Sequence, residues 1–108
     1  MIGDAPLGSF EEQVMVAVVR SGDEAWGMTV RREIEEVTGR SLAIGAVYAT
    51  LDRLESKGLV LSRRVDVDGA SRRVFALAAP GARALIETRD MRERLWRGVT
   101  VARLSAMA

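Results

Sequence analysis

Between Ser41 and Val60 an apolar stripe with helical spacing runs straight into a stretch that favours extended backbone, and this succession limits the possible folds more than any other feature. Ile44, Val47, Leu51 and Leu54 recur at three and four residues, so they line one face of a helix that Gly58 ends. At about 100° per residue, Gly45, Ala46, Ala49, Asp52, Arg53 and Ser56 fall on the opposite face, with Tyr48 and Thr50 at its borders. The first half of that outer face is small. A solvated helix ordinarily carries Lys, Glu or Gln there, whereas small side chains let a backbone come close to another surface, such as the floor of a DNA major groove. A helix packed on both sides by protein has the same signature, and these residues alone leave both readings open.

Beyond the helix, Leu59 to Val67 is rich in β-branched residues, Asp68-Gly69 is a favoured tight-turn pair, and Arg72 to Leu77 supplies a returning strand. Arg63, Arg64, Arg72 and Arg73 gather on this hairpin, where neighbouring positions on opposed strands are expected to project toward one phosphate backbone. An edge hairpin kept soluble by charge has a similar composition. Upstream, Met28 to Thr38 places Val30, Ile34 and Val37 on one stripe, closed by Gly39, and a short Arg40 to Ala43 connection leads to the next helix. Two helices in tandem followed by two strands make a winged helix-turn-helix.

Ser9-Phe10-Glu11-Glu12 has the Ser-x-x-Glu form of a capping box, so the first helix is expected to start there, with Phe10, Val14, Ala17 and Val18 at helical spacing. Met15, Val16 and Val19 widen its apolar face beyond one core contact; the surplus fits a partner subunit or a deeply buried central helix equally well. Ala79-Pro80-Gly81-Ala82 opens a last helix, with Pro80 suited to its first turn. Leu85, Ile86, Met91, Leu95 and Trp96 give that helix a broad apolar surface, which after a wing points to dimerisation. Gly98 kinks or ends it, leaving Val99 to Ala108 as a short helix or a frayed tail. The expected fold is mainly α with a small β-hairpin: a winged helix-turn-helix over residues 1–78 and a C-terminal dimerisation helix and tail over 79–108. Phe10, Met15, Leu85, Ile86, Leu95 and Trp96 are the expected dimer contacts.

A chain of 108 residues buries only a modest core, so a second copy would help it. Cysteine and histidine are absent, which removes disulfides, thiolate zinc sites, imidazole bases and Ser-His-Asp chemistry together. Glu33 with Glu36 and Asp66 with Asp68 are the carboxylate pairs that suggest catalysis, but surface charge accounts for both and no phosphate-gripping loop accompanies them. No enzymatic activity, cofactor or metal is expected. Neither a run of 18 apolar residues nor a secretory leader pattern is present, so the expected location is cytoplasmic, away from membranes. The net charge of +1 divides unevenly. Residues 1–39 carry three basic and eight acidic side chains, residues 40–77 seven and four, and residues 78–108 six and three, giving −5, +3 and +3. The candidate helix and hairpin therefore sit in a basic segment, as phosphate binding requires, but the excess is small and favours two copies on one duplex.

Several ordered blocks together resemble the PadR family of bacterial transcriptional regulators, in its short form with a single C-terminal helix. They are Leu7-Gly8-Ser9-Phe10-Glu11, Trp26-Gly27-Met28-Thr29-Val30-Arg31, Gly45 to Leu51, Leu54 to Val60, and Arg72 to Leu77 before Pro80-Gly81. The resemblance implies a homodimer that binds double-stranded DNA at a roughly palindromic operator, usually to repress a promoter. It places Gly45, Ala46, Tyr48 and Ala49 at the groove, Tyr48 at a phosphate, Arg53 farther along toward the backbone, and Arg63, Arg64, Arg72 and Arg73 on the wing. Small residues offer few hydrogen bonds, so specificity is expected from thymine methyls, Tyr48, wing arginines and DNA shape. Some relatives release DNA when a phenolic or hydrophobic cationic effector binds at the dimer centre. Met91 and Trp96 are the candidates to line such a space, with Trp96 as a plain interface anchor the alternative. The chain departs from frequent family patterns at Met28 and at Val74-Phe75. A winged helix that binds only protein is the competing function.

Overall fold

The computed structural model describes residues 7–108; residues 1–6 of the expected first domain lie outside the described residues. Among the described residues five α-helices and one hairpin follow in the order α1 (Ser9–Ser21), α2 (Gly27–Thr38), α3 (Ile44–Ser56), β1 (Val60–Val67), β2 (Ala70–Leu77), α4 (Ala79–Trp96) and α5 (Val101–Met107), with a 3-10 turn at Gly22–Glu24. This is the mainly α architecture with a small hairpin that the sequence predicts.

The start of α1 differs from expectation in one detail. Gly8, not Ser9, is the N-cap, and its backbone N–H donates to Glu11 Oε1 at 3.1 Å, so Glu11 fills the place assigned to Glu12. Glu12 instead pairs with Arg92 and ties α4 to α1. At the other end of α3, the Leu59 N–H donates to the Leu54 carbonyl at 2.9 Å while Gly58 takes φ of 76°, a left-handed stop that a side chain would strain.

Val14, Met15, Ala17 and Val18 of α1 meet Val30 and Ile34 of α2, Val47, Leu51 and Leu54 of α3, and Val60 and Phe75 of the hairpin in one core. Met15 is fully buried within it, which corrects its assignment to a dimer contact. Phe10 and Leu85 also pack against this core. Thr50, expected at a border of the outer face, is buried as well. Val37, expected inside, is 66% exposed in the last turn of α2, one residue before the helix ends.

The two strands pair antiparallel from Val60 opposite Leu77 to Val67 opposite Ala70. Asp68 and Gly69 close the hairpin with φ of 51° and 80°, the mirror-image turn whose twist suits two strands. Ala25 adds one rung, accepting from the Phe75 N–H at 2.8 Å and so fastening the hairpin to the entry of α2.

Gly81 lets α4 start against the body: a Cβ there would lie 1.9 Å from the Leu59 carbonyl oxygen. Farther on, α4 leaves the core. Ile86 is 61%, Leu95 71% and Trp96 54% exposed, and α5 presents Val101, Leu104 and Met107 to solvent. The radius of gyration of 16.0 Å exceeds the about 13 Å of a compact domain this size, since α4 and α5 project from it.

Candidate nucleic-acid interface

The outward face of α3 is as small in three dimensions as in sequence. Gly45, Ala46 and Ala49 are exposed, and the space around Gly45 is open to 4 Å. The turn into α3 is fixed from behind: Glu35 on α2 accepts from the Leu42 N–H at 2.8 Å, which sets the angle at which α3 leaves α2. Tyr48 leans from α3 across the first residue of α2. Its Cζ, Oη and Cε1 atoms would stand 2.3, 2.5 and 2.7 Å from a Cβ at Gly27, so the ring lies against a backbone that only glycine leaves clear. Its hydroxyl therefore sits at the amino end of α2, where helix N–H groups favour an anion.

That end of α2 is held by Thr29, whose hydroxyl accepts from the Trp26 N–H at 3.1 Å. Trp26 in turn carries Arg72, whose guanidinium carbon stands 4.8 Å from the ring centroid. In this stack Arg72 Nε is buried and has no hydrogen-bond partner among the described residues.

The four wing arginines do not form the single cluster expected. Arg64 faces Arg73 across the ladder, and Arg63 faces Val74 with Arg72 on the diagonal, so the two pairs occupy opposite faces of the hairpin. Arg63 and Arg64 are exposed and have no carboxylate partner among the described residues. Arg73 is tied down. Its Nη1 donates to Asp52 Oδ1 at 2.7 Å, its Nη2 to Glu55 Oε1, and its Nε to Ser62 Oγ at 3.2 Å. The two carboxylates raise its pKa further, while Ser62 and Arg73 hold Glu55 below the usual carboxylate range.

Arg53 is exposed on α3, beside Thr50 Oγ1 at 3.3 Å and within 3.6 Å of Glu11 Oε2. Lys57 donates to the same carboxylate at 2.9 Å, and this contact, with the Gly8 N–H, lowers the pKa of Glu11. Gly27 and Trp26 enter the sequence analysis only through the family resemblance and Asp52 only as an outer-face residue; their contacts with Tyr48, Arg72 and Arg73 are not readable there. A glycine one position after a tryptophan gives no hint of a tyrosine 21 residues on, and carboxylates at i and i+3 on an outer helix face look like ordinary solvation.

A groove of about 390 Å³ opens between α1, α2 and α4, bordered by Val16, Ile34, Val37 and Arg92. Neither Met91 nor Trp96 lines it, so it is a different space from the one those residues were expected to enclose.

Against models of known families, residues 15–87 match the transcriptional regulator PadR-like family. The chain belongs to this family. It is 38% identical over 77 residues, 71% of either chain, to transcriptional regulator Rv3488 of Mycobacterium tuberculosis. The PadR fold recurs in a PadR family transcriptional regulator from Eggerthella lenta, at 25% identity and a TM-score of 0.65 over 80% of this chain and 76% of that one. A transcriptional regulator from Clostridium thermocellum shares the fold at 15% identity with a TM-score of 0.69, over 82% and 87%. PadR proteins are regulators of transcription rather than enzymes, and no helix among the described residues is long and apolar enough to cross a membrane.

Proposed function

We propose that this PadR protein is a homodimeric repressor that binds a roughly palindromic operator through α3 and the hairpin. The observation that carries the reading is the juxtaposition of a small, exposed helix face at Gly45, Ala46 and Ala49 with two arginines on the adjoining wing, Arg63 and Arg64, that have no carboxylate partner among the described residues. Small residues admit the groove floor, and unpaired guanidiniums attract phosphate without first giving up a partner. Tyr48 donates its hydroxyl to a phosphate at the amino end of α2, Arg53 reaches the backbone farther along, and Arg72 adds its charge from the Trp26 stack. Dimerisation uses the exposed apolar residues of α4, Ile86, Leu95 and Trp96, and sets the two α3 helices about 34 Å apart, one turn of DNA. The protein works in the cytoplasm, and a hydrophobic effector held by Met91 and Trp96 at the dimer centre would release it from DNA.

Fluorescence anisotropy across a salt series, using the chain's own upstream intergenic duplex beside a scrambled one, tests the reading. Tight, selective, salt-sensitive binding that Arg63→Ala/Arg64→Ala weakens is expected. Equal, salt-insensitive signals on both duplexes, and an empty result from a random-sequence DNA selection, would favour a protein-binding winged helix instead.

A further inference from the structure

Of the four wing arginines, Arg73 is the one whose surroundings argue against a phosphate contact. Three of its five N–H donors are already committed, to Asp52, Glu55 and Ser62. The face of its guanidinium lies 4.7 Å from the centroid of the Phe75 ring. Ser62 Oγ donates onward to Glu55 Oε2 at 2.7 Å, so a closed ring of hydrogen bonds links one turn of α3 with both strands of the hairpin. A phosphate could take only the two remaining N–H groups, from a guanidinium already neutralised by two carboxylates that repel the incoming anion.

We infer that Arg73 is a positioning residue: it locks the wing to the recognition helix at Asp52 and Glu55, and in doing so leaves Arg64 as the arginine of that face which meets DNA. The inference rests on the DNA-binding reading above. Two anchors one helical turn apart fix both the distance and the pitch of the hairpin relative to α3, which one contact would not. The same arrangement explains two features that oppose DNA binding or sheet stability when taken alone. Arg64 and Arg73 stand directly opposite in the ladder, a like-charge pairing that destabilises a sheet unless one charge is neutralised. Asp52 stands exposed on the outward face of α3, where a bare carboxylate would repel phosphate. Pairing Arg73 with Asp52 and Glu55 answers both, and Arg64 keeps its charge free.

The test is DNA binding by the full chain across a salt series, on a duplex recovered by in vitro selection from a random-sequence library. Arg64→Ala is expected to flatten the slope of log affinity against log salt by about two for a dimer, one phosphate for each copy. Arg73→Ala is expected to weaken binding at least tenfold while leaving that slope unchanged, and Arg73→Lys to recover part of the loss. Asp52→Asn/Glu55→Gln separates the ideas by sign. It removes negative charge from the DNA-facing side, so electrostatics alone requires tighter binding, whereas a positioning role requires binding at least about fivefold weaker. This variant and Arg73→Lys carry the test if Arg73→Ala proves unfolded by circular dichroism. Tighter binding by the double variant, or a slope lowered by Arg73→Ala as much as by Arg64→Ala, would overturn the inference. If the wild type selects no motif and Arg64→Ala changes nothing, the DNA-binding reading fails and takes this one with it.

Discussion

Adding one methyl group at Gly27 should separate the fold from its function. The new Cβ would stand 2.3 Å from Tyr48 Cζ and 2.5 Å from its Oη, against a normal carbon contact of about 3.5 Å. The ring must therefore swing away by about an ångström or more, and it can, because the clash falls on the far end of a rotatable side chain. Overpacking of this kind costs about 1–3 kcal/mol, and the removal of a glycine returns about 0.4–1 kcal/mol through the unfolded chain. The net loss leaves a small domain of about 5–15 kcal/mol folded. Binding suffers more. A hydroxyl that donates to a phosphate contributes about 1.5–3 kcal/mol, so each half-site loses about tenfold or more in affinity. Gly27→Ala, measured by urea unfolding and by anisotropy on the selected operator, is expected to keep a cooperative transition while its Kd rises at least about tenfold. Tyr48→Phe, which retains the ring and lacks the hydroxyl, should lose similar affinity with unchanged stability. A folded Gly27→Ala variant that binds within twofold of wild type would refute the reasoning.

Gly81→Ala meets backbone instead of a movable ring, at 1.9 Å from the Leu59 carbonyl that accepts the Ala78 N–H. A loss of about 3 kcal/mol and a Tm lower by more than about 10 °C are expected by thermal melting; an unchanged Tm would mean that α4 starts elsewhere. Gly45→Ala has open space around it and should raise stability by up to about 1 kcal/mol, while operator affinity falls; equal affinity would remove Gly45 from the interface. Glu11 has its pKa lowered in the folded state by Lys57 and the Gly8 N–H. Its contribution is therefore present above the unfolded value and fades as pH falls through the folded one, so the urea midpoint should drop between pH 6 and pH 3 less steeply in Glu11→Gln than in wild type; parallel profiles would exclude the contact. Trp96→Asp acts on a side chain 54% exposed, so sedimentation should shift toward monomer with the far-ultraviolet spectrum intact, and an unaltered sedimentation coefficient would place the dimer contact elsewhere.

The parts of this molecule that were legible in its sequence are those written in short-range periodicity. The stripe Ile44, Val47, Leu51, Leu54 gave α3 because helical spacing and burial are the same fact, and Asp68-Gly69 gave the hairpin because few dipeptides accept two positive φ angles in succession. The structure departs from the local pattern where a residue has two candidate neighbours. Met15 and Val16 are adjacent on a wide apolar face, and nothing local tells which one points at the core; packing of α4 and the hairpin on α1 decides that Met15 is buried and Val16 is not. Val37 continues the period of Val30 and Ile34 past the edge of what lies beneath it. The Gly8 cap was hidden because Ser9 and Glu12 offered a better pattern than the Gly8–Glu11 pair actually used.

The wing shows the limit most clearly, since four arginines in one hairpin are identical as letters and different as chemistry. Strand alternation, which the sequence contains, already sorts Arg64 and Arg73 from Arg63 and Arg72 once the register is known. What the sequence does not contain is the tilt of the hairpin over α3. That tilt brings Asp52 and Glu55 beneath Arg73 and sets Arg72 on Trp26, and so turns a uniform patch into one locked side chain, one stacked side chain and two without a carboxylate partner among the described residues. Counting basic residues therefore overestimates the phosphate contacts of this surface. On the selected operator the salt slope should correspond to fewer contacts than the seven basic residues of the 40–77 segment, because Arg73 and Lys57 are paired with carboxylates before DNA arrives.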